Sequence, residues 1–221
     1  MIPLKDDNPI NITPFVVYAL ITINVVVFFY EISSQAKSSN FFELYALIPQ
    51  ELTASFAGTP PNQSVPEIYT LITSQFLHSG LIHIGYNMLF LWIFGNNIEE
   101  CLGHLKFLFF YLGCGILAGL NHWFFAMEST IPTVGASGAI AGVMGAYLLK
   151  YPRAKIVIFP FVTTKVPAFF FLGFWFVYQA FKGVLSLGLP EAISGSAYWA
   201  HAGGFIFGAI LSLMLGLFRD R

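Results

Sequence analysis

Charge is scarce in this chain, and acidic charge is scarcest where chemistry would need it. Of 221 residues only 10% are charged, against 57% hydrophobic and 18% aromatic, where a soluble domain carries roughly a quarter charged residues. Lys plus Arg number 10 and Asp plus Glu 11, for a formal charge of -1. Such a balance offers no basic surface to release counterions from nucleic acid, so DNA and RNA are excluded as partners. Cys101 and Cys114 are the only cysteines, too few for a disulfide framework and without the paired spacing of a metal site. The His-Glu-x-x-His zinc signature is also missing. All three aspartates, Asp6, Asp7 and Asp220, fall in the terminal tails. An intramembrane aspartate pair is thereby excluded, as is an aspartate completing a buried triad. Glu99 lies roughly 24 Å from the level of His83 along a helix axis, too far to take that place.

What the chain has in abundance is apolar length. Runs at about 10–30, 81–98, 105–127, 137–151, 166–187 and 199–218 predict about six crossings of a hydrocarbon layer roughly 30 Å thick. No window shows sustained period-two alternation with hairpin turns, which disfavours a transmembrane barrel. The expected fold is an all-α membrane protein, a six-helix bundle in one domain over residues 10–218. A short N-terminal tail, 1–9, precedes it and a C-terminal end, 219–221, follows. Residues 31–74, rich in Ser, Asn, Gln and Pro, form a loop in which Phe41, Phe42, Leu44, Tyr45 and Leu47 cluster at helical spacing, as suits a segment lying in the interface. Lys5, Lys106, Lys150, Arg153, Lys155, Lys165, Arg219 and Arg221 all fall at ends of one side if the N-terminus is inside, leaving Lys37 and Lys182 opposite. The bias predicts that both termini are cytoplasmic.

The fourth run is short: fourteen residues from Ser137 to Lys150 rise only about 20 Å. The irregular stretch Glu128 to Val134 before it must dip into the bundle, which is tolerated only where backbone is buried in protein or faces a cavity. Ser137, in Gly135-Ala136-Ser137-Gly138-Ala139-Ile140-Ala141-Gly142, therefore opens a helix below the membrane surface. Small residues there serve helix packing as well as access. Of the five histidines, His83 and His201 reach the same level from two other spans, and intramembrane polar groups are functional candidates by default. His201 shares its helical face with Gly204 and Gly208, so a close approach to the glycines beside Ser137 would let the hydroxyl and imidazole share a hydrogen bond. Asn87 lies one turn from His83 on one helix face, and both can donate to a developing oxyanion, with the Ser137 N-H as a third donor. His78, His104 and His122 are read as hydrogen-bonded packing residues. The fifth run, with Phe169, Phe170, Phe171, Phe174, Trp175 and Phe176, reads as lipid contact or as a gate.

These residues, in this order, resemble the rhomboid intramembrane serine proteases. The likeness runs from about Tyr45 to Gly208. It rests on Leu71 to His78, His83-Ile84-Gly85-Tyr86-Asn87, the GxxxExxxG pattern Gly95 to Gly103, Gly135-Ala136-Ser137-Gly138, and Ala200-His201-Ala202-Gly203-Gly204 with Gly208. The resemblance implies Ser137 as nucleophile, His201 as general base, His83 and Asn87 as oxyanion donors, and cleavage of transmembrane helices near the outer membrane boundary without metal or nucleotide. Partners would be transmembrane protein substrates and the lipid bilayer itself, and the setting a bacterial inner membrane. The alternative is a non-catalytic relative that binds transmembrane clients. In two places the chain departs from the family's pattern: Tyr69-Thr70 stands for a Trp-Arg pair that anchors the first loop, and Ala141 for a tyrosine that packs on the histidine.

Overall fold

A computed structural model of the chain describes residues 2–33, 40–61, 64–160, 164–187 and 197–218. Lys37, Arg219, Arg221 and the whole of 219–221, invoked in the sequence reading, lie outside the described residues. Strand β1 (Ile2–Asp6) leads into α1 (Phe15–Glu31), and the following loop carries α2 (Phe41–Tyr45), α3 (Pro49–Phe56) and α4 (Thr70–Thr73). Then come α5 (Leu81–Phe90), a π-helical turn at Leu91–Gly95, α6 (Asn96–Leu102), α7 (His104–Phe125) and α8 (Ser137–Lys150). Two strands, β2 (Lys155–Phe159) and β3 (Lys165–Pro167), precede α9 (Ala168–Ser186) and α10 (Tyr198–Met214). Helices α7 and α9 are long and apolar enough to cross a membrane, Glu67–Phe76 with Leu81–Leu102 qualifies as a pair bent by 82°, and α1 and α10 are shorter apolar helices.

Helix α8 is the centre. Every residue from Gly138 to Tyr147 is buried, as suits a helix that is apolar or small on all sides. Its glycines meet those of α10 backbone to backbone: a Cβ added at Gly204 would sit 2.2 Å from the Gly138 carbonyl oxygen, and one at Gly145 would sit 2.1 Å from that of Phe205. Aromatic bulk fills the rest of the core, with Phe94, Phe107, Phe110, Tyr111 and Tyr147 essentially without exposure.

The stretch before α8 is tied through its backbone groups to the first loop, although Glu128, Thr130 and Ile131 are exposed. Leu47 and Thr133 exchange N-H···O bonds of 3.1 and 2.8 Å, Gln50 N-H donates to the Ser129 carbonyl at 2.9 Å, and Gly135 N-H to that of Ser74 at 2.9 Å. The first loop thus braces the entry into α8.

The chain is not purely α. Strands β1, β2 and β3 form an antiparallel sheet in that order, with Ile2 opposite Phe159, Asp6 opposite Ile156, and Ile156 opposite Val166. Ile156, Val157 and Ile158 are all buried, so the strand shows no alternation to read in sequence. The residues expected to be a free tail are anchored: the Tyr147 hydroxyl donates to Asp6 Oδ2 at 2.5 Å, and Asn97 Nδ2 to the same oxygen at 3.2 Å. Burial pushes the Asp6 carboxyl above its ordinary value, against the opposing effect of the Tyr147 bond.

Glu99 joins three elements. Its oxygens accept the Val16 and Val17 N-H groups at 2.9 and 2.8 Å, capping α1, and His104 Nδ1 lies 2.5 Å from Oε1. Gly103, at φ 78, makes the left-handed turn between α6 and α7 that a Cβ would strain. Because Glu99 is wholly buried, Glu99→Ala orphans two helix-start donors. It is expected to cost about 2–6 kcal/mol, from roughly 1–3 kcal/mol for each buried group left unpaired, measured as a fall in thermal unfolding temperature in detergent.

Candidate active site

Ser137 is the first residue of α8, at the point where Gly135 adopts φ +123 and the backbone N-H groups of a helix's first turn have no partner within the helix. His201 reaches it from the first turn of α10, held there by the Gly138–Gly204 contact just below. The His201 Nε2 and Ser137 Oγ atoms lie 2.7 Å apart. The other ring nitrogen, Nδ1, lies 3.0 Å from Gln179 Oε1, on α9. The Trp175 ring, from α9, stands 5.8 Å from the His201 ring, tilted by 41°.

His83 comes from the first turn of α5. Its Nδ1 is 3.0 Å from Ser79 Oγ, and its Nε2 edge faces Gly135 so closely that a Cβ there would lie 2.8 Å from it and 3.6 Å from Ser137 Oγ. Asn87 is buried one turn on, with Nδ2 donating to the His83 carbonyl at 3.0 Å. The structure therefore brings Ser137, His201 and His83 together. It sets Asn87 behind His83 with one amide hydrogen engaged in its own helix.

A cavity of about 610 Å³ opens over these groups, lined by Ser137, His201, His83, His122, Ser129 and Thr133 among others. That is ample for a segment of extended peptide. Behind Ser137 a second space of about 30 Å³ is lined by Ser74, Gln75 and Gly135, and Gln75 Oε1 is buried without a protein partner. No group of three His, Cys, Asp or Glu side chains able to hold a metal occurs among the described residues.

The histidines expected to be packing residues divide. His104 pairs with Glu99. His78 is buried, with its backbone N-H on the Glu31 carboxylate and its ring edge-on to His83 at 5.1 Å. His122 lines the cavity, a position its place near a span end did not reveal. Gln179 was missed outright. The signal was available: it is an uncharged polar residue inside an aromatic apolar run, where polar side chains cost free energy unless they bond.

The model of the rhomboid domain matches residues 65–218, more than half the chain. The chain belongs to the rhomboid family. Among its relatives are the mitochondrial rhomboid protein 1 of Saccharomyces cerevisiae, 30% identical over 88% of this chain and 51% of that protein, and the rhomboid protease GluP of Bacillus subtilis, 28% identical over 94% and 36%. The mitochondrial presenilin-associated rhomboid-like protein A of Danio rerio is 32% identical over 71% and 39%. This rhomboid spans about half or less of the length of these relatives.

Around Tyr69-Thr70 the first loop is held by side-chain hydrogen bonds. Thr70 Oγ1 donates to the Glu67 carbonyl at 2.6 Å, Thr73 Oγ1 to that of Tyr45 at 2.8 Å, and Trp123 Nε1 to Thr53 Oγ1 at 2.9 Å. Glu67, 2% exposed, is hydrogen-bonded to Glu51. Burial first and the Glu51 charge second push its carboxyl from an ordinary 4.5 up to about 7. A raised carboxyl binds its proton more tightly folded than unfolded, so its stabilisation is full below about 4.5 and is lost as pH rises through about 7. Thermal unfolding between pH 5 and 8 is expected to show stability declining upward in the wild type and a shallower decline in Glu67→Gln.

Proposed function

We propose that this rhomboid is an intramembrane serine endopeptidase of six transmembrane helices that cuts transmembrane segments of other proteins near the outer membrane boundary. The six crossings are α1, the α5–α6 pair, α7, α8, α9 and α10, with both termini cytoplasmic and the bacterial inner membrane as the setting. The observation that carries the reading is the 2.7 Å approach of His201 Nε2 to Ser137 Oγ beneath an open cavity. A relative named as a rhomboid protease supports it.

In this mechanism Ser137 Oγ attacks the scissile carbonyl carbon while its proton passes to His201 Nε2. His83 and the Ser137 N-H donate to the oxyanion, with the second amide hydrogen of Asn87 available beside them. The tetrahedral adduct collapses as His201 returns the proton to the leaving amine. Water then attacks the acyl-serine, deprotonated by the same imidazole, and frees the new carboxylate and the serine. The small space behind Ser137, where Gln75 Oε1 is buried without a protein partner, is large enough to hold a water molecule. No cofactor enters any step.

A helical backbone hides its carbonyls, so the substrate helix must unwind to reach Ser137, and Gly or Pro near the cut bond should help. The test is purified protein reconstituted with a single-span substrate, the cut mapped by mass spectrometry. Cleavage near the outer boundary, slowed when Gly and Pro there become Leu, is expected. Cleavage that persists in Ser137→Ala would refute the assignment, and client binding without any cleavage would favour the non-catalytic alternative.

A further inference from the structure

Helix α9 presents a consistent inner face to the bundle: Ala168, Phe171, Leu172, Gln179 and Gly183 are its buried residues, at helical three-and-four spacing. Phe170, Phe174, Val177 and Phe181 are well exposed on its other side. All of the inner residues but one are apolar or small. Phe176 stacks on Phe205 at 4.9 Å, and Gly183 lets the Trp199 ring approach to 3.2 Å of where a Cβ would stand. Gln179, 8% exposed, is the exception, and its amide oxygen meets the imidazole.

A neutral imidazole has one N-H and one lone pair. The serine hydroxyl can donate or accept, but an amide oxygen can only accept. With Gln179 Oε1 at 3.0 Å from Nδ1, the proton sits on Nδ1, the lone pair on Nε2 faces Ser137, and the hydroxyl donates. The opposite tautomer would turn an N-H toward the serine oxygen and could not take its proton. No carboxylate lines the cavity among the described residues; the titratable groups that share it with His201 are His83 from α5 and His122 from α7.

We propose that Gln179 is a positioning residue for the Ser137–His201 pair, its side-chain oxygen holding His201 in the Nδ1-H tautomer and orientation that leave Nε2 free to accept the serine proton. This takes the place that a carboxylate fills in serine proteases with a third member, and it rests on the protease reading above. A glutamine suits the site because it orients the ring without burying a charge.

The test uses the full chain in proteoliposomes with a single-span substrate, comparing wild type, Gln179→Leu, Gln179→Glu and Ser137→Ala. Gln179→Leu is expected to lower kcat by roughly 10- to 100-fold, the scale of a misplaced catalytic group, with KM changed less than about twofold. Gln179→Glu keeps an acceptor in place. It should restore kcat to within several-fold of wild type and move the acidic limb of the kcat/KM profile up by about one pH unit or more, because a carboxylate favours the protonated ring. A packing role alone would move thermal stability but not that limb. Wild-type kcat in folded Gln179→Leu, or a Gln179→Glu profile superimposable on the wild type, would overturn the inference. If Gln179→Leu does not fold, the Gln179→Glu profile decides alone. Wild-type protein without Ser137-dependent cleavage would overturn the protease reading and this inference with it.

Discussion

Ser137→Ala and His201→Ala are each expected to lose about four orders of magnitude or more in kcat toward a membrane-embedded substrate, with the double variant no worse than either single one. The expectation follows from the way the two groups act as a unit. Without the imidazole the hydroxyl keeps its proton, and without the hydroxyl the imidazole has nothing to activate. Folding should be little affected, since neither side chain joins the glycine contacts that hold α8 to α10. His83→Ala should cost less, about 10²–10³-fold, the usual effect of deleting one oxyanion donor. Asn87→Ala should fall below that because one of its amide hydrogens already bonds the His83 carbonyl. Single-turnover cleavage of a fluorogenic transmembrane substrate, with circular dichroism to check folding, distinguishes these outcomes.

Gly208→Leu is expected to abolish activity by a different route. A Cβ at Gly208 would lie 2.2 Å from Gly142 Cα and 2.3 Å from its carbonyl oxygen. Both are backbone atoms on a helix buried on every side, so no rotamer change relieves the clash. The helices must separate, and that moves His201, about two turns up the same helix, away from Ser137. Overpacking ordinarily costs about 1–3 kcal/mol and more where neighbours are rigid. Loss of the cooperative thermal transition in detergent, together with loss of cleavage, is the expected outcome. A substitution at Gly173, where an added Cβ meets nothing within 4 Å, should leave both intact and serves as the control.

The parts of this arrangement that were readable in the sequence share a property: each is carried by residue types whose presence in an apolar run needs a reason. Ser137 and His201 stood out as polar groups beside glycines, and the short α8 was visible because fourteen residues cannot cross a bilayer alone. The buried carboxylate at Glu99 sat inside a spaced glycine pattern, but what it caps, the start of α1, is more than eighty residues away in sequence and could not be read from spacing. The sheet was invisible because Ile156, Val157 and Ile158 are buried without alternation and because the strand they pair with, Ile2–Asp6, looks like a polar tail. Asp6 belonged to that tail by composition and to Tyr147 by structure. Gln179 was obscured by its aromatic neighbours, which drew the reading toward lipid contact; only the crossing of α9 and α10 places its amide on His201.

The central claim is that Ser137 is an activated nucleophile, and reaction of purified protein in detergent with a fluorophosphonate probe tests it most directly. The account predicts labelling of the wild type at Ser137, absent in Ser137→Ala and in His201→Ala. Folded wild-type protein that takes up no label and cleaves no transmembrane substrate, or label that persists in Ser137→Ala, would contradict it.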